Sequence, residues 1–277
     1  MEDKSIREAV KERFGRAAKQ SSSCCGAKKS YYLDADAIQA VSKMAGYSDK
    51  ELKSIPEGAN LGLGCGNPVA LASIKVGDVV LDLGSGAGVD CFLAANIVGD
   101  KGRVIGVDMT PEMIEKAREN AKKGSHQNIE FRLGEIENLP IASNSIDAVI
   151  SNCVINLSTD KQKVFREVYR VLKPGGKLMV SDVALLKELP VYINNSIEAY
   201  VRCIGGAMLK DDYINAIREA RFQDVTVVSE SHFPSELIVS RPVVKEVVDK
   251  LNISVDELQD IGSSVVSIKI SARKAIF

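Results

Sequence analysis

Along residues 5 to 18, Ile6, Val10, Phe14 and Ala18 recur at helical spacing with Lys and Arg between them, which predicts an amphipathic N-terminal helix. KQSSSCCGAKKS (19–30) is small and polar and reads as a loop with two adjacent thiols, Cys24 and Cys25. A second helix is expected across DADAIQAVSKMAG (34–46), with an Asp to cap its start and Gly46 at its end. The Gly- and Pro-rich stretch 56–74 predicts a loop of defined path.

From Val76 onward, strand-like runs alternate with helical periodicity. DVVLDLG, GRVIGVD, IEFRLGE, IDAVISN and KLMVSDV read as strands, with helices from Val89, across PEMIEKARENAKKG and from Lys161 to Leu172. KPGG is expected to form a turn, which is reason enough for Gly175 and Gly176. Helices near 194–204 and 211–220, a strand at FQDVTVVSE, short helices in RPVVKEVVDKL and SVDELQDI, and a last strand at SVVSIKISA complete the chain. Strands separated by such helices predict a doubly wound α/β fold with a seven-stranded, mostly parallel sheet. The pattern divides into N-terminal helices with a Cys-bearing loop (1–60), an α/β core (61–190), and lid helices with the last strands (191–277).

Of the 277 residues, 45% are apolar, enough for a sizeable core. The 36 Lys and Arg against 37 Asp and Glu give a net charge of -1, which offers nucleic acid or anionic lipid no general attraction. No apolar run approaches the ~20 residues of a membrane span, and no signal-like segment opens the sequence, so a cytoplasmic location is expected.

VVLDLGSGAGVD (79–90) ends a strand in glycines and enters a helix, a turn through which a ligand approaches the backbone closely. Asp108 closes the next strand, where a carboxylate accepts hydrogen bonds from ribose hydroxyls. NAD sites favour G-x-G-x-x-G, whereas here the spacing is G-x-G-x-G after Asp82. That carboxylate is ill placed beside a pyrophosphate and well placed beside an ammonium and a sulfonium.

LDLGSGAG, an acidic strand end, GEIENLP and LKPGG together resemble the class I, Rossmann-like methyltransferases. The resemblance implies S-adenosylmethionine as cofactor, with residues 61–190 as its domain. Asp82, Gly84, Ser85 and Gly86 would pass the methionine part, Asp108 would hold the ribose, and Met109 would pack on the adenine. Ile136 and Glu137 would flank the adenine edge, and Asn152 would lie near the methionine end. On residue type alone Met109 and Ile136 suit an ordinary core equally well.

The acceptor is decided by what stands above the strand ends. Cys153 follows the fourth strand, Cys203 lies on a helix after the fifth, and Cys65 precedes the first. Cys91, beside Phe92 and Leu93, reads as packing. There is no C-x-x-C pair, and the two histidines, His126 and His232, sit in polar surroundings that suggest the surface, so a tetrahedral zinc site has weak support. Thiolates from separate loops suit a soft ion such as trivalent arsenic.

NLGLGCGNP, SNCVINL and YVRCIGGA, over residues 20 to 225, resemble the arsenite S-adenosylmethionine methyltransferases. The resemblance implies arsenic held by Cys153 and Cys203. Cys65 and one of Cys24 and Cys25 would supply or relay a third contact and pass through a disulfide, with a bound thiol as the other source of that third sulfur. It further implies arsenic detoxification, arsenite or its glutathione conjugate as substrate, and glutathione or a thioredoxin-type protein as reductant. Two other readings stand beside it. One is methylation of a small carbon or oxygen nucleophile such as a quinone precursor, and the other is a non-catalytic protein that sequesters thiophilic metal.

Overall fold

The computed structural model describes residues 3–20, 35–124, 126–232 and 254–276. Helix α1 (Asp3–Gln20) buries Ile6 and Val10 as its periodicity requires. α2 (Ala35–Met44) ends ahead of Gly46, whose φ of 98° suits a helix stop. α3 (Asp49–Lys53) is additional to the elements expected from the periodicity, and its signal is local. Ser48 Oγ accepts the Glu51 N–H at 3.2 Å, and the Glu51 carboxylate accepts the Ser48 N–H at 2.7 Å, a reciprocal cap.

The core runs β1 (Val79–Leu83), α4 (Val89–Val98), β2 (Arg103–Asp108), α5 (Pro111–Lys123), β3 (Ile129–Leu133), β4 (Ile146–Asn152), α6 (Lys161–Val171) and β5 (Leu172–Leu185). Then come α7 (Val191–Asn194), α8 (Ile197–Tyr200), α9 (Lys210–Glu219), β6 (Gln223–His232), α10 (Val255–Ser264) and β7 (Val265–Arg273). The seven strands form one sheet in the order β3-β2-β1-β4-β5-β7-β6, parallel except for β7, which is antiparallel to both neighbours. β1 is apolar and buried because helices cover both of its faces. One face packs on Phe92, Leu93 and Ile114 of α4 and α5, the other on Phe165, Tyr213 and Ile217 of α6 and α9. Phe165 and Tyr213 meet edge to face at 5.5 Å, a contact of about 1 kcal/mol beyond area burial.

Two expectations are corrected. KPGG is not a separate turn; it opens β5 as an irregular start. Register jumps from Ile146↔Leu172 to Ala148↔Lys177, and Gly175, at φ 78°, donates its N–H to the Lys274 carbonyl at 3.0 Å. The helix expected near 194–204 is two single turns, because Ser196 Oγ accepts the Ala199 N–H at 3.3 Å and starts α8 afresh where α7 stops. SVDELQDI lies in α10, whereas RPVVKEVVDKL lies outside the described residues. Among the described residues no helix is long and apolar enough to cross a membrane.

The chain order reverses between β1 and β4, where neighbouring crossovers leave on opposite faces and a crevice opens at the carboxyl ends of the strands.

Candidate active site

A cleft of about 1130 Å³, counting its open mouth, occupies that crevice. Asp82, Gly84, Ser85, Gly86, Asp108, Met109, Ile136, Glu137, Asn152 and Cys153 all line it. Gly84 and Gly86 both have positive φ, 62° and 52°. A Cβ on Gly84 would lie 2.3 Å from Val154 Cγ2, so only a glycine leaves room for Val154 here, and its backbone lines the cleft. A Cβ on Gly86 would meet nothing within 4 Å, so open space lies over Gly86.

Asp108 is fixed on both oxygens: Gly86 N–H donates at 3.0 Å and Thr110 N–H at 2.8 Å. Burial raises its pKa, and these N–H donors oppose the rise. Half-buried Met109 and the Ile136 side chain give the cleft an apolar wall beside that carboxylate. The Glu137 carboxylate accepts the Ser158 hydroxyl at 2.6 Å and pairs with Arg7 of α1 at 3.7 Å, while Arg7 also donates to Glu135 at 2.9 Å. These ion pairs seat α1 over the cleft, with Val10 and Phe14 among its lining. The Ser85 hydroxyl is buried beside β2 and has no hydrogen-bond partner among the described residues.

Asp82 is joined by a residue that the sequence did not single out, Asp90, in the first turn of α4. Burial and then the Asp90 charge push Asp82 well above the usual carboxylate range, and the Cys91 thiol, donating at 3.2 Å, pulls the other way. Cys91 is therefore more than packing: it is the buried donor to Asp82. Burial raises Asp90 to about 6, opposed by donors from Asn152 (2.9 Å) and Tyr47 (2.7 Å). An acid just after the glycine turn was a signal for Asp90; Tyr47 had none, since it arrives from a distant loop.

Asn152 lines the cleft and, besides donating to Tyr47 and Asp90, holds the Cys65 loop. Its Oδ1 accepts Cys65 N–H at 3.0 Å and Gly66 N–H at 3.3 Å, and its Nδ2 donates to the Gly66 carbonyl at 2.7 Å. The Cys65 thiol donates to the Ser181 carbonyl at 3.5 Å, and Cys153 N–H donates to the same carbonyl at 2.8 Å. Cys203 Sγ donates to the Cys153 carbonyl at 3.2 Å. Contact with the Cys203 and Cys65 thiols, then burial, drives the Cys153 pKa well up. Cys203 lies just beyond α8, not on a helix as expected, at φ 63°; Cys153 is at φ 59°. Two non-glycine residues in left-handed backbone are strained, at about 1–3 kcal/mol each, where the thiols converge.

A further group missed in sequence, Asp182 of β5, joins them. One ligand atom each from Cys65, Cys153 and Asp182 lies within 4.8 Å of the others. Burial raises Asp182 to about 6, against donors from Val183 N–H, the Tyr213 hydroxyl and Asn156. Cys24 and Cys25 lie outside the described residues. His126 is half-buried, its ring tilted against Phe92 at 5.0 Å, and burial lowers its pKa; His232 is exposed.

The methyltransferase-domain family matches residues 74–221. The chain is 43% identical to an arsenite methyltransferase of Halobacterium salinarum, covering 97% of this chain and 66% of that one. It is 37% identical to the arsenite methyltransferase of Aquipseudomonas alcaligenes over 81% of this chain and 64% of that one. The crystal structure of an arsenic(III) S-adenosylmethionine methyltransferase from Chlamydomonas reinhardtii aligns with a TM-score of 0.62 at 34% identity, over 86% of this chain and 73% of that one. The chain thus spans about two thirds of the length of the curated relatives it matches.

Proposed function

The chain belongs to the methyltransferase-domain family and, within it, to the arsenite methyltransferases, and on that premise we propose that it moves a methyl group from S-adenosylmethionine to trivalent arsenic held on its own thiols. The observation that carries this reading is the convergence of Cys65, Cys153 and Cys203, from three separate loops, at a cleft that Cys153 lines.

The cleft fits the cofactor on its own chemistry. Open space over Gly86 admits a close ligand, Asp108 offers its outer lone pairs to vicinal hydroxyls, and Met109 with Ile136 suits an adenine face. Asp82 and Asp90 are buried carboxylates that a cation in the cleft would return toward their ionised form. S-adenosylmethionine, when bound, supplies a methyl group on a sulfonium.

The thiols do the rest. Arsenous acid has three hydroxyl groups, and each thiol that displaces one sends its proton away in the departing water. The raised pKa of Cys153 is then no obstacle, because protonated thiols are the form that this exchange consumes. Arsenic held by three sulfurs keeps a lone pair, and a nucleophile with no proton to lose needs no general base. Alignment of two bound reactants accounts for ~7–11 kcal/mol of the barrier. Transfer releases the neutral thioether S-adenosylhomocysteine and leaves arsenic formally pentavalent; two of its sulfur ligands, breaking their bonds to arsenic and joining as a disulfide, return two electrons to it. An external thiol such as glutathione or a thioredoxin-type protein then reopens the disulfide. A reducing cytoplasm supplies both conditions.

Methylation of a quinone-like nucleophile would leave the three convergent thiols idle, and metal sequestration would leave the cofactor cleft idle. Incubation with methyl-labelled S-adenosylmethionine, glutathione and arsenite tests the reading. Labelled methylarsenic is expected; label found only on an organic acceptor, or no transfer, would overturn it.

A further inference from the structure

We propose that the thiol cluster together with Asp182 is also a tetrahedral site for a thiophilic divalent cation of the zinc and cadmium class, and that this cation and arsenite exclude one another. The inference shares its thiols with the arsenic reading but turns on a carboxylate that reading does not use. Trivalent arsenic takes three ligands and keeps a lone pair, whereas a zinc-like ion takes four.

The sequence argued against zinc because it has no C-x-x-C pair and no nearby histidine. Folding supplies the missing fourth donor from β5. Zinc bonds of ~2.0–2.3 Å set tetrahedral ligand atoms about 3.3–3.8 Å apart. The ligand atoms of Cys65, Cys153 and Asp182 already lie within 4.8 Å of one another, so small side-chain rotations close the set. The Cys203 thiol, which donates to the Cys153 carbonyl at 3.2 Å, stands beside this group of three, and its rotation toward Cys153 would supply the fourth donor of a three-sulfur, one-oxygen set.

Asp182 also carries the outer contacts that orient a ligating carboxylate. Tyr213 OH donates to one oxygen at 3.1 Å, and Asn156 Nδ2 and Val183 N–H donate to the other at 3.0 and 2.9 Å. The carboxylate is fully buried, and its hydrogen-bond donors are neutral groups; a bound cation would offset its charge. Lys161 is the basic group whose charge reaches both Asp182 and Cys203, and it moderates the negative charge of the set.

The test titrates the reduced full chain, carrying Cys24→Ser and Cys25→Ser so that the adjacent pair does not compete, with Co2+ and then Zn2+ in the absence of arsenite. One Co2+ per chain is expected, with a tetrahedral d–d spectrum and thiolate charge-transfer bands, displaced by Zn2+ and by arsenite. An octahedral Co2+ spectrum, or Zn2+ and arsenite bound together, would overturn the proposal. Asp182→Asn is expected to weaken Zn2+ by about tenfold or more and arsenite by less than about threefold. Equal Zn2+ affinity in variant and parent overturns the carboxylate's role. Should the variant not fold, the Co2+ spectrum and the competition in the parent chain decide. Methylation is assayed on the parent chain with Cys24 and Cys25 intact: its failure to methylate arsenite while the doubly substituted chain binds Zn2+ this way refutes the methyl-transfer reading alone, and methylation by the parent without tetrahedral Co2+ binding in the substituted chain refutes the cation site alone.

Discussion

The side-chain carbonyl of Asn152 accepts the backbone N–H of Cys65 at 3.0 Å, across 87 residues of sequence. The amide nitrogen of the same side chain donates to Tyr47 and Asp90 beside the cofactor cleft, at 2.9 Å each. One residue at the end of β4 thus ties the loop bearing a candidate arsenic ligand to the wall of the cofactor cleft.

Asn152→Ala leaves two backbone N–H groups and a buried carboxylate short of a partner, at about 1–3 kcal/mol per orphaned group. Arsenite affinity is expected to fall by about tenfold or more as the Cys65 loop loosens, followed by arsenite titration of the isolated protein. Wild-type arsenite affinity in the variant would show that Cys65 is held by other means.

Cys153→Ser and Cys203→Ser each replace a soft donor by a hard one that arsenic holds less well in competition with solvent thiols. Arsenite methylation should be abolished while S-adenosylmethionine affinity stays within about threefold, since Gly86 and Asp108 are untouched. Calorimetric cofactor binding beside product analysis separates the two effects; full methylation in either variant would sink the arsenic reading.

Gly84 and Gly86 share a left-handed backbone but not a neighbourhood, so their alanine variants should fail differently. Gly84→Ala drives a Cβ into Val154 and is expected to lower stability by about 2 kcal/mol or more, seen in denaturant midpoints. Gly86→Ala meets no protein atom and should cost about 1 kcal/mol of backbone strain while weakening the cofactor disproportionately. Equal stability losses with equal cofactor affinity would refute the distinction.

Asp108→Ala removes the acceptor for Gly86 and Thr110 N–H and the group assigned to the ribose. Cofactor affinity should drop by about 1.5–3 kcal/mol, as for a hydrogen bond to a charged group. Unaltered cofactor binding would refute its assigned role.

Asp182 gives a pH dependence of definite sign. Burial raises its pKa from 3.8 to about 6, so between about pH 4 and pH 6 the folded protein holds a proton that the unfolded chain has lost. Stability conferred by this group therefore falls as pH rises through that window, by about 3 kcal/mol at most, and is level above it. Asp182→Asn should remove this term, so the stability difference between parent and variant should shift in the variant's favour from pH 4 to pH 6. A difference that is flat with pH, measured by urea unfolding, would show that Asp182 titrates normally.

The order of strands and helices was legible from the sequence because it rests on local periodicity: the apolar run of β1, the 3.6-residue spacing of α1 and α5, and the glycines after β1 act within a few residues of themselves. The lining of the cleft was legible for the same reason, since Asp82, Gly86, Asp108 and Met109 sit at strand ends whose place in a doubly wound sheet is fixed by topology. Which residues share the thiol cluster was decided by tertiary structure. Cys65, Cys153 and Asp182 meet because β4 pairs with β5 in the register Asn152↔Ser181, setting Cys153 and Asp182 one residue beyond a shared rung, while Asn152 draws the Cys65 loop across and Cys203 donates to the Cys153 carbonyl. Registers and loop paths of this kind follow from side-chain packing between distant segments, and no periodicity in the chain encodes them. Tyr47 and the position of Cys203 beyond its helix entered the site by that route.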